Sequence, residues 1–356
     1  MTFLAECRMR PHPNLIKILF LISFLTACNE NTSKVTKQKL FVFGTVVEIS
    51  IWSENSTNIQ HAINEISTTF NTMHHQWHAW KPGRLTDINQ ALRSGKKITL
   101  NQAESAFIQQ TIKLSKQSNH LFNPAVGELI NLWGFHSDEF PLLTPPPTAK
   151  KIEILAAKNI TTENLNLDGL NLSSDHPNIW LDFGGIAKGY AIDIAIQILK
   201  KHQINHAIIN AGGDIRSIGN KGGSDIENRP WQVAIQSPTD WSMLAQIQID
   251  GDESVFTSGN YHRFKKFDGK RYSHIINPHN GQPVEFIISA TVIAADGITA
   301  DAAATALVVA GEQWPQIAKL MNIDQALIIN EQLQCFGTKA MINRLQNQTI
   351  DCQSLD

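Results

Sequence analysis

Three short stretches of the sequence combine residue types and spacings that can do chemistry. The first is Leu181-Asp-Phe-Gly-Gly-Ile-Ala-Lys-Gly-Tyr190. Leu181 to Phe183 reads as a strand end, and Gly184-Gly185 as a turn that only small residues allow. From Ile186 onward, Tyr190, Ala191, Ile194, Ala195, Ile198 and Leu199 recur at helical spacing. Such a strand–turn–helix junction presents backbone N–H groups and the positive end of a helix dipole, which suits a diphosphate. The spacing is neither G-x-G-x-x-G nor a Walker A loop, so an ordinary tight turn stands beside the phosphate reading. The second stretch is Asp301-Ala-Ala-Ala-Thr305, read as the start of a helix with Asp301 in its first turn. Four residues apart, a carboxylate and a hydroxyl share one side, a hard-oxygen pair that suits Mg²⁺. The bland alternative is a carboxylate complementing the helix dipole and a threonine bonded back to a carbonyl. The third is His274, in Tyr272-Ser-His-Ile-Ile-Asn-Pro278, either a general base beside a phosphate site or a structural histidine. His74 and His78 also stand at i, i+4, but at a helix end solvation or the dipole explains them better than a metal.

These residues need a scaffold, and the pattern supplies one. Leu40 to Trp52 reads as a strand interrupted at Gly44-Thr45 by a bulge or close backbone approach. Ile59, Ala62, Ile63, Ile66, Phe70, Met73 and Trp77 make a helical stripe, followed by a turn carrying Trp80. A second amphipathic helix covers 103–118, and Thr148 reads as an N-cap after the breaker Thr144-Pro-Pro-Pro147. Strands are read at 206–210, 231–235 and 290–294, and Asp268-Gly269 signals a type I′ hairpin.

The chain has 356 residues and a formal net charge of −2. That is long enough for a sizeable core, and it lacks the basic footprint of a nucleic-acid binder. At the N-terminus, Arg8, Arg10 and Lys17 precede a short apolar run, Ile18 to Leu25, and then Leu25-Thr-Ala-Cys28. This reads as a lipoprotein signal peptide over 1–27, with Cys28 as the lipid site. A polar tether follows over 28–37, then one domain over 38–345 and a C-terminal tail over 346–356. The Leu25–Cys28 stretch resembles a bacterial lipobox, and by that resemblance Asn29, rather than Asp, after the cysteine implies the outer membrane as the address of a periplasmic, lipid-anchored protein. Cys335 and Cys352 either pair or remain thiols.

Seven stretches occur in one order: Phe122-Asn-Pro-Ala-Val-Gly127, Asn131-Leu-Trp-Gly-Phe135, Asp182 to Tyr190, Asn210-Ala-Gly-Gly-Asp214, Thr257-Ser-Gly-Asn-Tyr261, Ser273 to Pro278 and Asp301 to Thr305. With the lipobox, they resemble the ApbE family of FAD:protein FMN transferases, over about residues 40 to 340. The resemblance implies an α/β (α+β), T-fold-like flavin-transferase architecture holding FAD as substrate. It implies FAD contacts at Phe43, Trp80, Leu121, Phe122, Asn123, Asp182, Lys188 and Ile276. Phe43 stands where the family often has Met, and Asn123 where it often has Asp. It implies Mg²⁺ held by Asp301, Thr305 and the Gly185 carbonyl, with His274 deprotonating a Ser or Thr hydroxyl of a partner. The partners implied are flavin-carrying subunits of the Na⁺-pumping NADH:quinone oxidoreductase or Rnf-type complexes. Two rivals stand beside it: an FAD pyrophosphatase, which needs the same residues, and a non-catalytic flavin-binding lipoprotein, against which Asp301, Thr305 and His274 speak.

Overall fold

The computed structural model describes residues 35–222, 229–249, 251–261 and 263–355. The signal peptide, Cys28 and 28–34 of the expected tether lie outside the described residues. The described residues open on a hairpin of β1 (Val35–Val42) and β2 (Thr45–Trp52). The expected single strand is therefore two, and the expected tether overlaps β1. Phe43 and Gly44 both have positive φ, 57° and 71°, which is the turn that closes a two-residue hairpin. Next come α1 (Ser56–Gln76), α2 (Arg84–Arg93), β3 (Ile98–Thr99) and α3 (Gln102–Gln117). Helix α2 carries no expectation from the sequence pattern. It is held by Arg84, whose guanidinium grips Glu104 on α3 with two bonds of 2.8 Å.

Short helices α4 (Gly127–Trp133) and α5 (Ala149–Ala156) precede the hairpin β4 (Leu165–Asp168) and β5 (Asn171–Ser174), which pairs with β3. The long helix α6 (Ala187–Lys201) leads into β6 (Ala207–Ala211) and β7 (Asp214–Ile218). Then follow the hairpin β8 (Trp231–Gln236) and β9 (Met243–Ile249), β10 (Ser254–Gly259), and the hairpin β11 (Phe264–Phe267) and β12 (Lys270–Ser273). Asp268 and Gly269 have φ of 48° and 75°, the expected type I′ turn. The chain ends with β13 (Ile287–Ala294), α7 (Gly297–Ala310), α8 (Trp314–Leu320), β14 (Gln325–Asn330), β15 (Cys335–Gly337), α9 (Lys339–Ile342) and β16 (Cys352–Ser354).

Nine strands form one sheet in the order β1-β2-β6-β7-β10-β13-β14-β15-β16. Period-two alternation sorts its side chains between two cores. Phe256, Val292, Ala326 and Ile328 face the helices, whereas Val255, Ile293, Leu327 and Ile329 face the layer formed by β8, β9 and Met341 of α9. A third cluster, Leu129, Trp133, Phe135, Ile152 and Ile276, joins α4 and α5 to the segment after β12. The sheet's last pair is parallel, with Cys335 opposite Cys352, and the two sulfurs form a disulfide. The expected C-terminal tail is thus partly a strand of the sheet.

Helix α7 is buried nearly all round, as its apolar composition requires. Its N-cap is Asp296, whose side chain accepts from the Thr299 N–H at 2.8 Å. Asp301 therefore sits in the second turn, not the first, and the dipole explanation for it weakens.

Candidate functional site

The glycines of 184–189 bring α6 against α7. A Cβ placed on Gly185 would stand 3.1 Å from the Thr305 hydroxyl oxygen, and one on Gly189 would stand 2.2 Å from the Gly297 carbonyl oxygen. The Gly189 N–H donates to Asp301 Oδ2 at 2.9 Å. Gly185, Asp301 and Thr305 are therefore neighbours on two packed elements. Ser258 of β10 adds a fourth oxygen, its Oγ 3.1 Å from Thr305 Oγ1.

The amides of this turn tell against the expected phosphate cradle. Gly184 N–H donates to Asp182 Oδ1, those of Ile186 and Ala187 donate to the Phe183 carbonyl, and that of Gly189 donates to Asp301. Four of the amides that were to face a diphosphate thus have protein acceptors. What the glycines provide here is close approach between helices.

The oxygens fit a hard divalent cation. Asp301 is buried, and burial pushes its carboxyl above the ordinary value, with Lys188 and the Gly189 N–H opposing the shift. A buried carboxylate with one N–H partner gains from a cation placed against its other oxygen. Lys188 does not point into open space. Its ammonium pairs with Asp214, which is buried and also accepts from the Thr257 N–H at 3.2 Å. No cluster of three His, Cys, Asp or Glu occurs among the described residues, so a histidine-rich metal site is not formed by His74 and His78. Burial instead pushes both imidazoles below their usual pKa.

Asp182 links this cluster to an aromatic cleft. Burial alone would raise its carboxyl, but the His136 Nε2 bond at 3.0 Å, the Gly184 N–H and the charge of Arg263 together hold it below the ordinary value. His136 lies parallel to Trp80, with ring centres 4.9 Å apart and planes at 16°, and its other neighbour is Trp180 at 4.9 Å. Ala79, Asn89, Arg93 and Asn131 complete a cleft of about 420 Å³, with the Arg93 guanidinium 4.8 Å over Trp180. Trp80 is half-buried. His136 stacks on it and the His78 ring meets it edge-on with centres 4.5 Å apart, so a ligand ring stacking on Trp80 competes with these imidazoles. Two buried ring nitrogens here, Nδ1 of His78 and Nδ1 of His136, have no partner among the described residues.

The remaining expected residues divide. Phe122 is buried beside Gly185, where its ring would lie 3.6 Å from an added Cβ, and Leu121 packs against the main core. Phe43 leans on Phe70 and His74 at 5.4 and 6.0 Å. Asn123 does not present its amide to a ligand: Nδ2 donates to the Ile160 carbonyl at 2.8 Å and Oδ1 accepts from the Ala125 N–H at 3.0 Å. The Ile276 side chain is likewise in the core of the third cluster, so only its backbone can face a ligand. The Nδ1 of His274 stands 3.0 Å from the Arg263 carbonyl. A carbonyl only accepts, so Nδ1 carries the proton in the neutral ring and Nε2 is the basic nitrogen. Sequence reasoning passed over His136, Trp180, Asp193, Asp214 and Ser258. Asp214 and Ser258 lay inside recognised stretches, while nothing local marked His136.

The chain is similar to several known proteins. A curated FAD:protein FMN transferase from Rhodobacter capsulatus is 35% identical over 87% of this chain and 58% of its own length. One from Vibrio cholerae is 32% identical over 72% of this chain and 73% of its own. The crystal structure of the ApbE protein from Thermotoga maritima superposes with a TM-score of 0.79 at 27% identity, over 88% of this chain and all of that one. The flavin transferase ApbE from Vibrio cholerae gives 0.76 at 26%, covering 88% and 99%. The ApbE family model matches residues 43–328, and with the α6–α7 oxygen cluster formed from the family-like stretches, the chain belongs to the ApbE family.

Proposed function

We propose that this protein transfers FMN from FAD to a Ser or Thr hydroxyl of a partner protein and releases AMP. The observation that carries the reading is the meeting of Gly185, Asp301 and Thr305 at the α6–α7 contact, linked through Asp182 and His136 to the Trp80 cleft. Asp301, Thr305 and the Gly185 carbonyl would hold Mg²⁺. When bound, the cation neutralises the charge that builds on the departing phosphate. Asp301 is kept in place by the Gly189 N–H, and the Thr305 hydroxyl by Ser258. Trp80 and its neighbours orient the flavin ring, which lies at the Asp182 end of the same path.

His274 takes the acceptor proton at Nε2, because its Nδ1–H is held by the Arg263 carbonyl. The hydroxyl oxygen then bonds to the FMN phosphorus, and the bond to the bridging oxygen breaks with AMP as leaving group. The acceptor sequence implied by the family is D-G-x-[ST]-G-A-T, on a subunit of an Nqr- or Rnf-type complex. Residues 1–27 direct export, and lipid on Cys28 anchors the domain at the periplasmic side of a membrane. The Cys335–Cys352 disulfide is in keeping with an oxidising compartment.

The test is mass spectrometry of an acceptor peptide incubated with the protein, FAD and Mg²⁺. The expected product is a peptide carrying FMN on its Ser or Thr, with AMP formed in equal amount. Cleavage to FMN and AMP with no adduct would replace the reading by a pyrophosphatase, and FAD bound but uncleaved would replace it by a binding protein. Cys28→Ala should move the protein from the membrane fraction to the soluble periplasm.

A further inference from the structure

Asp193 and Arg216 form a buried ion pair that the proposed chemistry does not use. Asp193 lies on α6, one turn after Gly189. Its Oδ1 accepts from the Gly297 N–H at 2.7 Å and its Oδ2 from the Ile298 N–H at 3.0 Å. Arg216, on β7, also donates to Asp252 at 2.8 and 3.1 Å. The next amides of α7, those of Thr299 and Ala300, go to the side chain and carbonyl of Asp296. All four N-terminal amides of α7 are thereby held inside the protein, so this helix end binds no external anion.

The shape of α7 explains why such a clamp matters. Its buried surface is built largely of Ala300, Ala302, Ala303, Ala304 and Ala306. Methyl groups make shallow ridges, so packing alone resists sliding along the axis poorly. One residue of slip moves the ligands by about 1.5 Å, while cation–oxygen distances tolerate about 0.2 Å. Two polar contacts fix the register: Gly189 to Asp301, and Asp193 to the helix start. Gly297 allows the second, because a Cβ there would stand 2.7 Å from Asp193 Oδ1. A buried ion pair contributes little net stability over an apolar pair, so its use lies in fixing geometry.

We propose that Asp193, seated by Arg216, is a positioning residue for the cation site, setting the axial place of α7 so that Asp301 and Thr305 meet Gly185. The inference rests on the reading of those three residues as cation ligands.

Mn²⁺ binding to the FAD-loaded protein, followed by electron paramagnetic resonance with Mg²⁺ as competitor, tests it. In Asp193→Asn, Mg²⁺ affinity should fall about tenfold, the usual loss for an outer partner of a metal ligand. Mn²⁺ should lose less, because Mg²⁺ demands the stricter octahedron. Arg216→Lys, which keeps the charge but not the two-way fork, should show the same change in selectivity at smaller size. Arg344→Gln is the control: it breaks a 2.8 Å pair with Glu253, its guanidinium otherwise donates only to Gln325 and the Gln248 carbonyl among the described residues, and it should lower melting temperature without changing the Mg²⁺/Mn²⁺ ratio. Unchanged Mg²⁺ and Mn²⁺ affinities in either Asp193→Asn or Arg216→Lys, or an equal change of ratio in Arg344→Gln, overturn the proposal. If Asp301→Ala binds Mn²⁺ as well as the unmodified protein does, the ligand assignment itself falls, and the proposal with it.

Discussion

The two ends of the site are built on opposite terms. At the α6–α7 contact nearly every polar group has its partner before any ligand arrives: Gly189 with Asp301, Ser258 with Thr305, Lys188 with Asp214, Asp193 with the start of α7. At the Trp80 end the groups are incomplete. His78 and His136 each bury a ring nitrogen with no partner, and an imidazole lies on the Trp80 face. An unpaired buried polar group costs about 1–3 kcal/mol, so rearrangement at this end on entry of a ring carries little penalty. A rigid cation end and an adaptable ring end divide chemistry from recognition.

The largest test of that division is Asp301→Ala. It should lower FMN transfer by two to three orders of magnitude, roughly the scale of losing one charge-stabilising group, while flavin fluorescence still reports FAD in the cleft. Transfer at the normal rate would show that the rigid end is only structural. Gly189→Ala comes next. Its methyl meets the Gly297 backbone, so the helices must separate, which costs about 1–3 kcal/mol and should cut transfer at saturating FAD; a thermal melt and initial rates measure both. His274→Asn should slow transfer about 100-fold, the typical worth of a general base, with FAD affinity unchanged. Equal loss of FAD binding would make this histidine structural.

Trp80→Ala should act on the other side of the comparison, weakening FAD binding by about 1 kcal/mol and leaving the rate at saturation alone. The smallest effect is one of pH. The folded Asp182 carboxyl lies below the ordinary aspartate range, so its contribution to stability is present above that range and lost as pH falls through the lower folded value. Asp182→Asn should flatten that acid limb in a melting-temperature profile.

Much of this was legible in the sequence, and the gaps have physical causes. Helix α3, the Asp268-Gly269 turn and the Ala187–Lys201 helix announce themselves through periodicity or obligatory turn chemistry. The Phe43-Gly44 turn did not, because a phenylalanine at φ 57° is held there by packing on Phe70 rather than by local preference. Helix α2 escaped notice because its grip on Glu104 spans twenty residues. The pattern of 184–189 leaves an anion site and an ordinary tight turn both open, since a turn before a helix usually exposes amides; only the fold reveals that α7 occupies the space beside Gly185 and Gly189. His136 acts through Asp182, 46 residues away, and no spacing rule reaches that far.

The sulfur link between Cys335 and Cys352 sits at one rim of the sheet, far along the strand order from the hairpin of β1. Reductant would therefore unfasten the outermost ribbon and lay bare strand β15, a sticky margin for self-association, while the reacting groups on α6 and α7 keep their places. Loss of solubility would then precede loss of turnover, and material made in a reducing cytosol should clump before it goes quiet.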